Sequence, residues 1–333
     1  MLVMEKKSNN IIRVLAGFAG AIIVLTGVFN LCIYNGFFKA NFGRATKERT
    51  VEHEREFFAS DENYSRHLAD VEKIESLELP LIEMTSYDGL KLKAILWEAP
   101  KAECRGSILL MHGFHSAPLR EFATLALFYH ELGLNVVMPY QRAHGLSEGK
   151  YLTFGIKERY DCRDWIVKIN SLYGEDSPVF VSGISMGGAT VTMSAGLELP
   201  PNVRGIIADC GFTEPYEIIR WTAVNAKHIW PGVADIMITS LEWYCEHFAG
   251  FSLKEYSTYK AMNRTNLPFL FITGTKDETV PCEMTMSSFM LYKQRCPDKT
   301  KIVFFEDGPH AISYLMDEAK YKKEVKNFIE KYL

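Results

Sequence analysis

Short apolar runs recur along residues 81–333 and are separated by segments whose apolar positions follow helical spacing. Continuous apolar runs are typical of parallel strands that are covered on both faces of a sheet. Strands that alternate with helices predict an α/β fold with a mainly parallel sheet, helices on both faces and right-handed crossovers. We expect such strands near residues 107–111, 135–140, 179–181, 203–208, 268–273 and 301–305.

The segment that precedes these runs has a different pattern. Residues 81–87 and 90–97 alternate apolar and polar side chains on either side of Asp88-Gly89. This turn between two alternating segments predicts a β-hairpin. Because the alternation leaves one face in water, we expect both strands to lie at the edge of the sheet.

One long segment interrupts the alternation of strands and helices. Residues 212–266 lie between two predicted strands, are mostly helical in pattern and hold three of the five tryptophans. An insertion of this length usually forms a lid or cap over the strand ends. We expect some aromatic side chains of this cap to face the strand ends and others to pack in a small core of the cap itself.

Near the N-terminus, residues 14–34 contain no charged side chain. A run of 21 residues is long enough to cross a bilayer as a helix. A cleaved signal peptide and a buried helix fit less well, because the run is long for a signal sequence and lacks a polar stripe. We expect a single-pass anchor within residues 1–38, located in the cell membrane.

The orientation of this anchor follows only weakly from charge, since lysine and arginine flank both ends of the run. The very short tail with Lys6 and Lys7 favours an extracytoplasmic location for the rest of the chain. Residues 39–80 are highly charged and predict a helical connector with a solvated face. The α/β domain is then expected over residues 81–333, with the cap at about 212–266.

Composition excludes several classes of function. The net charge is -4 and no long basic run occurs, so nucleic acid is not expected as a partner. The seven cysteines are scattered, odd in number and without a C-x-x-C motif, which disfavours both a zinc site and a disulfide framework. We expect neither a metal nor a cofactor.

Residues 178–189 contain the first motif that points to a specific reaction chemistry. An apolar strand runs into Gly183-Ile-Ser185-Met-Gly187, and a helix of small residues follows. This pattern between a strand and a helix predicts a strained turn that lifts the serine hydroxyl clear of the sheet. Gly183 and Gly187 fit, because a Cβ at either position would crowd the turn or the contact between strand and helix. The sequence predicts Ser185 as a nucleophile.

A serine hydroxyl needs a base, most often histidine, and the base needs a carboxylate that orients it. Ligands of open α/β sheets bind beyond the carboxyl ends of the strands. Asp277 and His310 lie in two such loops, later in the chain than Ser185. We expect these three residues to form a catalytic triad, with Asp209 at the end of another strand as the alternative acid.

The oxyanion of an acyl-transfer reaction needs two N–H donors. The backbone N–H of Met186, which follows the nucleophile, is expected to supply one of them. The second is expected from the loop at residues 112–115, with Phe114 as the donor. His112, His115 and His144 lie in strand-end loops and are expected to make structural hydrogen bonds.

These motifs together resemble the α/β-hydrolase superfamily, and most of all its serine aminopeptidase S33-like branch, which has membrane-anchored bacterial members. The resemblance covers residues 81–333. It implies the α/β-hydrolase fold and a serine hydrolase, since Ser185 stands where related dehalogenases and epoxide hydrolases carry aspartate. The motifs are His112-Gly113-Phe114, Arg142-Ala-His-Gly-Leu-Ser147, Gly183-Ile-Ser-Met-Gly187, Gly274-x-x-Asp277-x-x-Val-Pro281 and Gly308-Pro-His310.

Three functions are compatible with these residues. The favoured one is hydrolysis of carboxylic esters through an acyl-enzyme, with a small-molecule ester that carries an apolar acyl or aryl group. A serine peptidase acting on short peptides is the alternative, and an aminopeptidase would need an acid for the substrate amine. A non-catalytic binding module is disfavoured by the complete triad. The acids available in the insertion are Glu214, Glu217, Glu242 and Glu246.

Overall fold

The computed structural model describes residues 60–333 together with residues 15–18, 20–21, 24–25, 27–29, 31–32, 42, 44 and 58. The predicted anchor at residues 14–34 lies partly outside these described residues. Within them, no helix combines the length and the apolar character that crossing a membrane requires.

The described chain is organised around one eight-stranded sheet. The strands are β1 Leu81–Thr85, β2 Lys91–Trp97, β3 Gly106–Met111, β4 Leu134–Pro139, β5 Val179–Ile184, β6 Val203–Asp209, β7 Phe269–Gly274 and β8 Thr300–Phe305. Their order in the sheet is β1-β2-β4-β3-β5-β6-β7-β8. The strands from β3 to β8 pair in parallel with one another, as the continuous apolar runs predict.

The hairpin forms, but one part of its prediction is wrong. β1 lies at the edge, whereas β2 pairs antiparallel with β1 on one side and with β4 on the other. The alternation covers only the start of β2, and the run Ala94–Leu96 is buried. These side chains are covered because β2 extends the sheet inward, which the pattern of the hairpin alone does not show.

Helices cover both faces of the sheet. The α-helices of the region 60–333 are α1 Asp61–Glu75, α2 Pro118–Glu131, α3 Glu158–Tyr173, α4 Met186–Ser194, α5 Pro215–Trp221, α6 Pro231–Tyr244, α7 Thr258–Met262, α8 Cys282–Arg295, α9 Ser313–Met316 and α10 Glu318–Tyr332. Two π-helical turns, Thr222–Ala226 and Cys245–Ala249, extend α5 and α6.

Each face of the sheet carries its own apolar core. On one face, Phe122 and Tyr129 of α2 pack with Phe328 of α10. On the other face, Trp165 of α3 packs with Tyr292 of α8. Burial of these large side chains supplies the main stabilising free energy, at about 25 cal/mol for each Å² of apolar surface removed from water.

A third apolar cluster joins the sheet domain to the insertion. The inner side of α6, through Ile238 and Leu241, packs in the same cluster as Met186 of α4 and Phe154. The insertion at residues 212–266 therefore lies over the helix that follows Ser185, as expected for a cap.

The direction of the chain reverses at the centre of the sheet. β3 has β4 on one side and β5 on the other, so the crossovers through α2 and α3 lead to opposite sides of β3. The loops after β3 and β5 consequently diverge and leave a crevice at the carboxyl edge, where ligands of such sheets bind.

Candidate active site

Ser185 lies between the end of β5 and the start of α4 in a strained backbone conformation, with φ 58° and ψ -120°. A Cβ on Gly183 would come within 2.3 Å of the Gly187 carbonyl oxygen, and a Cβ on Gly187 within 1.8 Å of the Met111 carbonyl oxygen. Only glycine fits both positions, so the turn is closed by backbone contacts on either side of the serine.

Positive φ angles are concentrated around this turn. Besides Ser185, the non-glycine residues His115, Cys210 and Ala311 have φ values of 49°, 41° and 63°. His115 lies in the loop after β3, Cys210 directly follows β6, and Ala311 directly follows His310. Strain of this kind is maintained where the surrounding structure holds it, and it is common at active sites.

The structure brings Ser185, His310 and Asp277 together. The Ser185 hydroxyl lies 2.8 Å from His310 Nε2, and His310 Nδ1 donates to Asp277 Oδ2 at 2.7 Å. The other carboxylate oxygen, Asp277 Oδ1, accepts the N–H groups of Thr279 and Val280 at 2.9 and 2.8 Å. The acid is thus fixed by its own loop and in turn fixes the imidazole, leaving Nε2 to accept the serine proton.

Asp209, the alternative acid, has a different partner. Its Oδ2 accepts the hydroxyl of Tyr321 at 3.1 Å, and its Oδ1 is buried without a hydrogen bond. Burial raises the pKa of Asp209 to about 7. The geometry therefore pairs His310 with Asp277 and leaves Asp209 buried behind the site, hydrogen-bonded to Tyr321.

The electrostatic surroundings favour a protonated His310. Burial lowers the pKa of His310, but the charge of Asp277 and its hydrogen bond outweigh this effect, so the net pKa lies above its ordinary value. Glu121 and Asp209 act in the same direction. A base with a raised pKa is a stronger proton acceptor, which suits proton removal from a serine hydroxyl.

The loop that follows β3 passes beside the serine. A Cβ on Gly113 would lie 3.2 Å from Ser185 Cβ, and the Gly113 N–H donates to Glu121 Oε2 at 2.8 Å. This N–H is therefore already engaged, and the next N–H in the loop is that of Phe114. Met186 is the first residue of α4. The first N–H groups of a helix have no hydrogen-bond partner within that helix.

Glu121 is a residue that the sequence patterns did not single out. It is buried on α2, and burial raises the pKa of its carboxyl. Its acceptor bond to Gly113 holds the loop in place next to Ser185. The available signal was a lone acid in the first turn of an otherwise apolar helix, which is also compatible with an ordinary interaction with the helix dipole.

His112 and His144 make structural contacts. His112 Nδ1 donates to the Gly113 carbonyl at 2.9 Å, and His112 Nε2 accepts the Gln141 N–H at 3.1 Å. Burial lowers the pKa of His112 to about 4, so the ring stays neutral and ties the loop after β3 to the loop after β4. His144 donates from Nδ1 to the Arg142 carbonyl at 2.9 Å, and burial lowers its pKa as well.

Within the described residues, one group of side chains lies close enough to share a metal ion: Cys210, Asp277 and His310, whose ligand atoms are within 4.8 Å of one another. Two of them are already hydrogen-bonded to each other. Burial raises the pKa of the Cys210 thiol well above its ordinary value, which disfavours the thiolate that metals bind. This group is better described as the triad with a neighbouring neutral thiol.

Two residues of the segment before α1 lie against the same region, although the sequence predicted only a charged connector there. Phe42 is fully buried and its ring lies 4.9 Å from that of Phe154, which in turn lies 5.0 Å from Phe114. Arg44 donates to the carbonyl groups of the loop after β4, at 2.9 Å to Ser147 and 3.2 Å to Gly149. Phe42 is one of several aromatic residues in this charged segment, so no sequence signal singled it out.

Comparison with known proteins agrees with this architecture. Residues 102–240 match the model of the serine aminopeptidase S33 family. The chain is 25% identical over 261 residues to YqkD of Bacillus subtilis, an uncharacterised protein, covering 78% of this chain and 82% of that protein. It is 24% identical over 256 residues to YNL320W, an uncharacterised membrane protein of Saccharomyces cerevisiae, covering 76% of this chain and 81% of that protein.

A similar structure is that of the Pyrococcus furiosus esterase Pf2001. The TM-score is 0.61 with 21% sequence identity, and the match covers 78% of this chain and 95% of that chain. The parallel sheet, the elbow at Ser185 and the matched family model agree with the motifs: the chain has the α/β-hydrolase fold and is similar to the serine aminopeptidase S33 family.

Proposed function

We propose that the protein is a serine hydrolase that cleaves carboxylic esters through an acyl-enzyme intermediate. The observation that carries this proposal is the continuous hydrogen-bonded series from the Ser185 hydroxyl through His310 to the Asp277 carboxylate. A serine in this arrangement becomes nucleophilic because the histidine removes its proton as the bond to the substrate carbon forms.

The reaction has two half-steps. Ser185 Oγ attacks the ester carbonyl while its proton passes to His310 Nε2, and the resulting oxyanion accepts the N–H groups of Met186 and Phe114. When the tetrahedral intermediate collapses, His310 gives the proton to the departing alcohol. Water then repeats the sequence on the acyl-enzyme, releasing the carboxylic acid and restoring the serine hydroxyl.

An ester is favoured over a peptide because two of the four cap acids have other partners. Glu242 accepts the Leu253 N–H at 2.8 Å and the Ser252 hydroxyl, and Glu217 accepts the Thr213 hydroxyl. Burial raises the pKa of Glu214, so the carboxylate that would bind an ammonium group is less favourable there than in water. The peptidase alternative rests on the matched S33 aminopeptidase model.

We also propose that residues 14–34 anchor the enzyme in the cell membrane, with the catalytic domain outside the cytoplasm. The uncharged run of 21 residues supports the anchor. The name of the related yeast protein, which describes it as a membrane protein, is consistent with this proposal.

The catalytic proposal is tested by labelling the purified, folded protein with a fluorophosphonate, which reacts with activated serines. Wild type is expected to label and Ser185→Ala is not. Ser182→Ala is a matched control, since Ser182 lies buried within β5. An unlabelled wild type, or a Ser185→Ala variant that labels equally, would show that Ser185 is not an activated nucleophile.

Turnover of a panel of esters and aminoacyl amides then separates the two substrate classes. We expect hydrolysis of esters with apolar acyl groups and much slower hydrolysis of aminoacyl amides. Faster hydrolysis of the amides, with a requirement for a free amino group, would favour the peptidase instead.

A further inference from the structure

The exposed surface of the cap helix α6 is divided into two unlike flanks. Its inner side, Ala234, Ile238 and Leu241, is buried against the sheet domain. Helical spacing places a polar flank on one side of this inner face and, apart from Ser240, an apolar flank on the other. The polar flank consists of Asp235, Thr239 and Glu242, and the apolar flank of Val233, Ile236, Met237, Trp243 and Tyr244.

The apolar flank is continued by large side chains at both ends of α6. We call the resulting surface the cap face and define it as Trp230, Val233, Ile236, Trp243 and Phe248, whose exposed fractions are 72%, 40%, 61%, 50% and 51%. Single exposed apolar residues are ordinary, but several large ones along one helix and at both of its ends, two of them tryptophans, are typical of an interaction surface.

The position of Phe42 limits what can cover the cap face. Phe42 is buried in the same cluster as the inner side of α6, and its ring lies 6.1 Å from that of Phe251 in the insertion. It also lies eight residues beyond Tyr34, the end of the uncharged run. Eight residues span at most about 28 Å when fully extended. If the run is anchored in a bilayer, the cap lies close to the surface of that bilayer.

The residue types of the cap face fit such a surface. Tryptophan is enriched at the boundary between lipid headgroups and acyl chains, and aliphatic side chains next to it enter the outer acyl region. A helix with one buried face, one polar flank and one flank of this kind is suited to lie at the interface rather than to span it.

We propose that the cap face rests on the surface of the bilayer that holds the N-terminal anchor, and that the site receives acyl esters that partition into this bilayer. The inference rests on the proposed ester hydrolase and on the proposed anchor. It narrows the substrate class to amphiphilic esters whose acyl chain partitions into the membrane.

The position of the tryptophans permits a direct test with the full chain. Residues 1–60 contain no tryptophan, so tryptophan fluorescence reports on the folded domain and not on the anchor. We would reconstitute the full-length protein in phosphatidylcholine vesicles whose acyl chains carry bromine, a short-range quencher. Wild type is expected to be quenched relative to vesicles without bromine.

The variants locate the contact. The double variant Trp230→Phe/Trp243→Phe is expected to lose most of the quenchable fluorescence. Trp97→Phe is the control and should retain the quenchable fluorescence. Trp97 lies on β2, outside the cap, and stacks on His130 with ring centroids 4.1 Å apart. Absence of quenching in wild type would overturn the proposal, as would full quenching in the double variant. If a second copy of the chain covers the cap face instead, wild type would not be quenched and chemical cross-linking would yield a dimer.

The consequence for substrates is tested with Ile236→Asp on the cap face and Thr239→Asp on the polar flank. Placing a charge where Ile236 is proposed to enter the bilayer is expected to lower kcat/KM on a long-chain ester in vesicles about tenfold. Turnover of a water-soluble short ester should stay within about twofold in both variants, and Thr239→Asp should leave both activities unchanged. Equal losses on both esters, or no loss on either, would contradict delivery from the membrane.

These outcomes remain separable from failure of the proposed function. If wild type hydrolyses neither ester while the quenching pattern holds, the hydrolase proposal fails and the membrane contact of the cap face stands. If both esters are hydrolysed without quenching, the hydrolase proposal stands and the cap face has another role.

Discussion

At the scale of single residues, the orientation of His310 depends on which carboxylate holds it. Asp277 contacts the imidazole directly. Asp209 instead contacts Tyr321 and raises the pKa of His310 only through its charge. The two acids lie near the same histidine, and the hydrogen bond alone distinguishes their roles.

Replacing each acid by its amide tests this assignment. Asp277→Asn is expected to lower kcat on the order of 10⁴-fold, because an amide cannot select the histidine tautomer or stabilise its cation. Asp209→Asn is the matched control and should retain turnover close to wild type. The opposite result, measured as ester turnover by the two purified variants, would assign Asp209 as the orienting acid.

The raised pKa of His310 determines the acidic limb of the pH profile. The neutral imidazole is the base, so activity is lost as the pH falls through the pKa of His310. Because that pKa is raised, we expect the inflection of kcat/KM to lie above the ordinary histidine value of about 6.5. An inflection below this value, measured with a soluble ester, would show that burial outweighs Asp277.

Glu121 is expected to act by positioning the oxyanion loop. Glu121→Ala leaves the Gly113 N–H without its acceptor and should lower kcat about 10²-fold, the effect of a misplaced oxyanion donor. Glu121→Gln keeps an acceptor oxygen and should restore most of the activity. Comparable losses in both variants, at unchanged KM and melting temperature, would point to the charge of Glu121 and not to loop position.

At the scale of elements, the segment before α1 contributes to the site although it lies outside the sheet domain. Phe42 fills a cluster shared by the cap and by the helix that begins after Ser185, and Arg44 caps carbonyl groups of the loop after β4. These contacts fasten the chain at the point where cap and sheet domain meet.

Truncating Phe42 should therefore weaken the contact between the cap and the sheet domain. Phe42→Ala is expected to destabilise the protein by about 3–5 kcal/mol, as for other fully buried aromatic residues. Phe304→Ala is the control, because Phe304 is 37% exposed on β8 and should cost much less. Denaturant unfolding of the two full-length variants measures the difference, and equal losses would show that Phe42 is not seated in the cluster.

At the scale of the whole molecule, the N-terminal run and the catalytic domain are joined by a short connection. Deleting residues 2–38 removes the whole uncharged run but keeps Phe42 and Arg44. We expect the deleted protein to move from the membrane fraction to the soluble fraction while it keeps turnover of a soluble ester. Recovery of the full-length protein in the soluble fraction would contradict the anchor.

The chemistry of the site was predictable from sequence because its signals are local. The elbow needs a strand, two glycines and a helix within a dozen residues, and Asp277 and His310 each follow a recognisable strand. The placement of β2 was not predictable, because its second neighbour, β4, is distant in the chain.

What the sequence determined by itself is the type of fold and the identity of Ser185, Asp277 and His310 as candidate groups, since periodicity and turn chemistry are properties of neighbouring residues. The tertiary structure decided which acid meets the histidine, that Glu121 holds the oxyanion loop, and that Phe42 is buried under the cap. Each of these depends on contacts between residues far apart in the chain. Such contacts are fixed by packing and by hydrogen bonding in the folded interior, and no local pattern encodes them.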